Sequence, residues 1–353
     1  MMTTSVQNRI DVMIVNDSPY MIEFLTNLIS SNPKIKVSST ARDGNEALRK
    51  LKHVRPNVIL LDLEMPYMDG LTFIGEIAKQ DLIPIIVVSN YSQAGTKLVL
   101  DSLEFGAVDF FSIPEDVSSI NTDLKNILIN KIEIVSKSNP LVMAPKAISR
   151  LKPVQKKDVS TAGVATRVIV IGCSTGAPRV VSHVLSELPA DLHAGILIVQ
   201  HMAKQFTTGF ASRLNEISKL KVKEAVEGDL IQEGVVLVAP GDYHMVVSPS
   251  CKISLNQGPK RFGIRPSINV TMVSASEVFG ANTIGVLLSG MGQDGAFGMK
   301  IIKKRHGITI AQDEASSVIF GMARAAQELH AVDKMVHSDQ IARQIVQELN
   351  KIV

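Results

Sequence analysis

Cysteine is scarce in this sequence. Cys173 and Cys251 are the only two among 353 residues, and their spacing suggests no pair. That excludes a disulfide framework and a structural zinc site, and it fits a reducing cytoplasm. The first nine residues, Met1 to Arg9, lack the apolar core of a secretory signal, and no uncharged apolar run approaches the ~18 residues that cross a bilayer. A soluble cytoplasmic protein without membrane insertion is expected. Charge of one sign is lacking too, with 37 Lys plus Arg against 34 Asp plus Glu, so nothing demands nucleic acid as a partner.

What is present is enough apolar material, 45% of the residues, to fill two cores, the default for a chain of this length. The stretch Arg167-Val-Ile-Val-Ile-Gly-Cys-Ser-Thr-Gly-Ala-Pro178 reads as an apolar strand running into a glycine-bounded turn with Ser174 at its apex. Pro178 suits the first turn of a helix whose free amide groups point back at that turn. A hydroxyl there is a candidate nucleophile, and Gly172-x-Ser174-x-Gly176 fits the nucleophile-elbow pattern. Such a serine needs a base and a group that orients the base. The apolar run Gly195–Gln200 ends in His201, and the run Thr283–Gly290 ends in Met291-Gly-Gln-Asp294-Gly295. In a doubly wound sheet the carboxyl ends of parallel strands share one edge, so Ser174, His201 and Asp294 are expected to converge. Their chain order is Ser, His, Asp, unlike the Ser, Asp, His order of α/β-hydrolases, so the elbow likeness is convergent.

From Ile10 to about Lys137, five apolar runs alternate with helical segments: 10–15, 35–40, 58–62, 85–89 and 107–111. That is the signature of a five-stranded parallel, doubly wound domain. Asn16, Asp17, Asp62, Glu64 and Ser89 gather at or just beyond the strand ends, a carboxylate-rich place suited to Mg²⁺. This part resembles the receiver domain of two-component response regulators, most specifically at Leu61-Asp-Leu-Glu-Met-Pro-Tyr-Met-Asp-Gly70. The resemblance implies that Asp62 accepts a phosphoryl group from a histidine kinase, that Asp17 helps to hold Mg²⁺, and that Ser89 contacts the phosphoryl oxygens. Two positions depart from the pattern. Asn16 replaces one of two adjacent acids, which lowers metal affinity, and Ile113-Pro114 replaces the usual Lys-Pro, which removes an ammonium group from the phosphoryl site. Slow phosphorylation of Asp62, or weak coupling of it to the second domain, is expected.

Pro140, Pro145 and Pro153, with five Lys or Arg facing only Asp158 and Lys137 just ahead, make 138–166 read as a basic linker. From Arg167 a second strand series begins, with helical patterns near 178–188, 204–218, 266–280, 295–304 and 318–329. The pair of strands around Pro249-Ser250 reads as an antiparallel hairpin added to a mostly parallel sheet. This half resembles the protein-glutamate methylesterases of bacterial chemotaxis, at Gly172–Pro178, Gln200-His-Met202, Val238–His244, Arg265-Pro-Ser-Ile-Asn269 and Leu288–Gly295. The resemblance implies a Ser174, His201, Asp294 triad, an oxyanion hole from backbone amides near Ser174 such as Thr175 and from Met291, no cofactor for catalysis, and methyl-accepting chemoreceptors as partners. It also implies glutamine deamidation by the same acyl chemistry, and a receiver (10–137) that limits access to the catalytic domain (167–353). Arg265 is a candidate receptor contact.

Two other classes of protein compete with this reading. A receiver-controlled transcription module would need a basic helix-turn-helix after the linker, which the strand-rich segment does not supply. A general α/β-hydrolase would complete its triad with a later histidine such as His330.

Overall fold

The computed structural model describes residues 9–80, 83–90, 93–114, 122–138 and 163–351. The chain divides into two compact units, Met1–Ile148 and Ser149–Val353. The basic stretch expected over 138–166 falls, apart from its ends, outside the described residues.

In the first unit, strands β1 (Ile10–Val15), β2 (Ile35–Ala41), β3 (Val58–Leu61), β4 (Ile85–Asn90) and β5 (Asp109–Ile113) form a parallel sheet in the order β2-β1-β3-β4-β5. Helices α1 (Pro19–Ser30), α2 (Gly44–Leu51), α3 (Gly70–Gln80), α4 (Gln93–Phe105) and α5 (Thr122–Val135) make the crossovers. Local chemistry sets their starts. Pro19 opens α1, and Ser18 accepts from the Met21 amide; Asp43 caps α2 while Glu46 reaches back to the Arg42 amide. Gly70 opens α3 because a side chain there would meet the Asp62 carbonyl oxygen at 2.5 Å. Strand β5 runs two residues beyond its expected end, which makes Ile113 its last residue, buried beside Asn90 in the register.

The second unit holds a seven-stranded parallel sheet: β6 (Val168–Cys173), β7 (Gly195–Gln200), β8 (Lys221–Glu224), β9 (Val235–Val238), β12 (Thr283–Leu287), β13 (Ile308–Gln312) and β14 (Lys334–Val336), in the order β14-β13-β12-β6-β7-β9-β8. Central strands β6, β7 and β12 are buried at every residue, as a sheet covered on both faces requires. The hairpin β10 (His244–Val247) and β11 (Ile253–Asn256) is antiparallel as expected, but it stands as its own two-stranded sheet. Its apolar face, Met245, Val247 and Ile253, joins the core instead of a sheet edge. Thr271 donates its hydroxyl to the Met245 carbonyl, and Ser274 accepts from the Val247 amide, so a helix satisfies the edge groups a neighbouring strand would use.

The helices are α6 (Pro178–Glu187), α7 (Lys204–Ile217), α8 (Ile268–Phe279), α9 (Ala296–Lys304), α10 (Met322–Glu328) and α11 (Ile341–Leu349). The helix expected from 318 begins only at Met322, because Ile319 and Phe320 are drawn into bonding with Ser289 and Gly290. Helix α11 was not anticipated. Among the described residues, no helix is long and apolar enough to cross a membrane.

Candidate active site

Strand β6 leads rightward to β7, whereas β12, which enters the sheet later, lies on its other side. The order reverses at β6, and the crevice outside such a switch point is where α/β sheets bind ligands. Ser174 follows β6, His201 follows β7 and Asp294 lies beyond β12. The sheet therefore brings the three together.

The Ser174 hydroxyl lies 3.1 Å from His201 Nδ1, and His201 Nε2 lies 2.9 Å from Asp294 Oδ2. The imidazole thus meets the serine with Nδ1 and the carboxylate with Nε2, the reverse of the trypsin-like arrangement. The chemistry is unchanged if the proton sits on Nε2, which leaves Nδ1 to accept from the hydroxyl. Ser174 does not cap the following helix: that position is Ala177, with no side-chain bond. Gly176 has φ +77, and a side chain there would strike Val318 and the Ser289 hydroxyl. His330, the alternative base, sits past the far end of α10, while His201 fills the place between serine and carboxylate.

Asp294 is buried and accepts three more hydrogen bonds: from the Ser267 hydroxyl at 2.8 Å, the Ile268 amide at 2.7 Å and the Asn269 amide at 3.1 Å. Burial pushes its pKa up, but His201 and the Ile268 and Asn269 amides outweigh that and hold the carboxyl below the usual carboxylate range. Asp294 therefore caps α8. In return, Asn269 Oδ1 accepts from the Gly295 and Gly298 amides at the start of α9. The two helices cap each other, and the orienting carboxylate is one of the caps.

Gln200, buried at the end of β7, donates through Nε2 to the carbonyls of Ser174 (3.2 Å) and His201 (3.3 Å), while its Oε1 has no partner among the described residues. It ties nucleophile and base to one group. Sequence reasoning missed Gln200, Ser267 and Asn269, although each lies in a segment that carries the methylesterase resemblance. The Met291 and Gly292 amides donate to nothing among the described residues, while the Thr175 carbonyl accepts from the Ser289 hydroxyl. Cys173, adjacent to the serine, points its thiol at the Val199 carbonyl; burial pushes that thiol up and leaves it inert.

Arg265 is engaged within its own unit. Its guanidinium is 14% exposed and bonds Asp242 and the carbonyls of Gln257 and Gly258. These bonds brace the loop that carries it.

In the first unit, Asp62 follows β3. It accepts from the Asn16 amide at 2.9 Å and from the Glu64 backbone at 3.2 Å. Burial, with a further push from the Asp17 carboxylate and against the Glu64 amide, raises its pKa to about 6. The Asn16 oxygen is turned to the Ser18 amide. The Glu64 side chain is exposed, and among the described residues no three His, Cys, Asp or Glu side chains stand close enough to share an ion. Of the expected set Asp17, Asp62 and Glu64, the first two carboxylates face each other, and Glu64 bonds Asp62 through its backbone. Two mutually repelling carboxylates still suit a hard cation completed by backbone oxygen and water. Ser89 lies near the end of β4, whose Val87 pairs with Leu61 of β3.

A family model of CheB methylesterases matches residues 169–345, and one of response regulator receiver domains matches residues 12–125. A protein-glutamate methylesterase/protein-glutamine glutaminase of Pyrococcus abyssi is 42% identical over 348 residues, covering 98% of this chain and 95% of the relative. Its namesake in Symbiobacterium thermophilum is 40% identical over 361 residues, covering 98% and 99%. The crystal structure of the Thermotoga maritima CheB methylesterase catalytic domain matches with a TM-score of 0.50 at 35% identity, covering 52% of this chain and 98% of that one. With both halves matched and relatives aligned along nearly its full length, the chain belongs to the CheB methylesterase family and carries a receiver domain ahead of its methylesterase domain.

Proposed function

We propose that the protein hydrolyses glutamate γ-methyl esters on chemoreceptor proteins in the cytoplasm, giving glutamate and methanol. The observation that carries this is the hydrogen-bonded succession from the Ser174 hydroxyl through His201 to Asp294. His201 Nδ1 takes the serine proton as Oγ attacks the ester carbonyl, and Asp294 stabilises the imidazolium. The Met291 amide, with Thr175 contributing from the elbow, receives the oxyanion, each donor worth about 3 kcal/mol. The imidazolium then protonates the departing methoxide. A water, deprotonated by the same imidazole, cleaves the acyl-enzyme to glutamate and free serine.

An amide passes through the same acyl-enzyme with ammonia leaving, so receptor glutamines are a second substrate. The relatives from Pyrococcus and Symbiobacterium carry both activities in their names. The test is methanol release from methylated receptor membranes by the full chain, by residues 160–353 alone, and by Ser174→Ala. Release by the first two and none by the third is expected; equal release by Ser174→Ala ends the esterase reading.

The receiver (10–137), joined by the 138–166 linker, regulates the catalytic domain (167–353) and accepts phosphoryl groups from a chemotaxis histidine kinase. Asp17 and Asp62 would hold Mg²⁺, which when bound offsets negative charge at the phosphoryl group, and Ser89 would contact the phosphoryl oxygens. Ile113 offers no cation, and the Asn16 amide already occupies Asp62. Phosphorylation is therefore slow or weakly coupled. Stoichiometric labelling of Asp62 by acetyl phosphate, with a large rise in methanol release, would refute that.

A further inference from the structure

Helix α9 leaves the active-site loop with one face unclaimed. Ala296, Gly298, Met299 and Ile302 are buried, whereas Phe297, Lys300, Lys303 and Lys304 face solvent. At 3.6 residues per turn, Phe297, Lys300 and Lys304 fall on one stripe, with half-buried Ile301 at its margin. Phe297 is 53% exposed, and Met291, in the loop just before the helix, is 39% exposed. These two apolar side chains flank Asp294 in the chain. Lys303, off the stripe, pairs with Asp333, but among the described residues Lys300 and Lys304 make no ion pair or hydrogen bond.

Single exposed apolar side chains are ordinary on a solvated surface. Here a phenyl ring and a thioether stand in water beside the candidate triad, and two unpaired ammonium groups continue from them at one-turn intervals. We propose that this stripe docks the polypeptide substrate, an amphipathic acidic helix bearing the glutamyl ester. The inference rests on the esterase reading above. Met291 and Phe297 take the apolar flank of that helix. Lys300 and Lys304, about 4.5 and 10.5 Å along the axis from Phe297, take carboxylates one and two turns from the reacting residue. The charge argument comes from the reaction itself: every turnover leaves a carboxylate, so a helix with several sites grows more acidic as it is processed. A substrate already hydrolysed nearby is held better than an untouched one.

The test uses the full chain and two alanine-rich helical peptides with one γ-methyl-glutamate at the centre. One peptide carries glutamate four and seven residues to either side, and the other carries glutamine at those places. N-acetylglutamate γ-methyl ester is the small comparison substrate. The parent protein is expected to prefer the glutamate peptide about fivefold in kcat/KM, and Lys300→Gln/Lys304→Gln to bring that preference to unity. Phe297→Ala is expected to lower kcat/KM on both peptides about tenfold more than on the small ester. A preference that survives the double variant, or an equal loss on peptide and small ester in Phe297→Ala, overturns the proposal. So does faster small-ester hydrolysis by Phe297→Ala, which would mean that the stripe seats the protein's own receiver unit. Inactivity of the parent on both peptides and on the small ester would instead sink the esterase reading.

Discussion

Gly290 packs against Ser174 so closely that a methyl group on it would come within 2.7 Å of the serine Cβ and 2.3 Å of the Met322 Cε. The Gly290 carbonyl also receives the amides of Gly321 and Met322, so this backbone has little freedom to retreat. Gly290→Ala should displace the hydroxyl from His201. A fall in kcat of about a hundredfold is expected, the usual cost of an ångström of misplacement, and steady-state methanol release measures it.

Asp294→Asn replaces an acceptor of four hydrogen bonds with a group that must turn an N–H toward one of those donors. A loss of about 10⁴ in kcat is expected from the wrong imidazole tautomer. Stability should fall too, because α8 loses its cap. The folded-state pKa of Asp294 is depressed, so its contribution is present above the ordinary aspartate pKa and is lost as pH falls through the lower folded value. Urea midpoints should therefore separate parent and variant at pH 7 and converge in strong acid.

Gln200→Leu removes the donor that joins the Ser174 and His201 carbonyls, together with the unpartnered Oε1. Because an orphaned acceptor goes with the lost bonds, stability should change by less than about 1 kcal/mol. Activity should drop about tenfold in kcat with KM unchanged. A proportionate loss of stability would assign Gln200 a packing role only.

The strand ends were legible because uninterrupted apolar runs closing in a polar residue mark buried parallel strands, and Ser174, His201 and Asp294 each stood at such a place. Ser267 and Gln200 were not. The bonds of Ser267 to Asp294 and of Gln200 to Ser174 span 27 and 26 residues and leave no periodic trace in the chain. The loop-bracing bonds of Arg265 were not legible, because an arginine reads the same whether it awaits a partner or braces its own loop. The hairpin was legible as a hairpin, but its detachment from the large sheet depended on hydroxyls of α8 that only the fold brings near.

Tyr67 holds φ at +63 and is 92% exposed, in the turn between Asp62 and α3. A bulky side chain is strained there, and nothing buried compensates. Tyr67→Asn should stabilise the first unit by about 1 kcal/mol, read as a higher urea midpoint.

Asn16→Asp removes the amide that bonds Asp62 and adds a third carboxylate to the pair. Without metal the first unit should lose stability, since like charges then crowd a half-buried site. Mg²⁺ should bind roughly tenfold more tightly, and thermal shift against Mg²⁺ concentration separates the two effects.

The order of the strands has a consequence for synthesis. The hydroxyl and imidazole belong to the first two strands of their sheet, but the carboxylate follows His201 by 93 residues. It arrives with a strand that must insert beside the oldest one. A chain emerging from the ribosome therefore cannot complete the succession of serine, imidazole and carboxylate until Asp294 has been made.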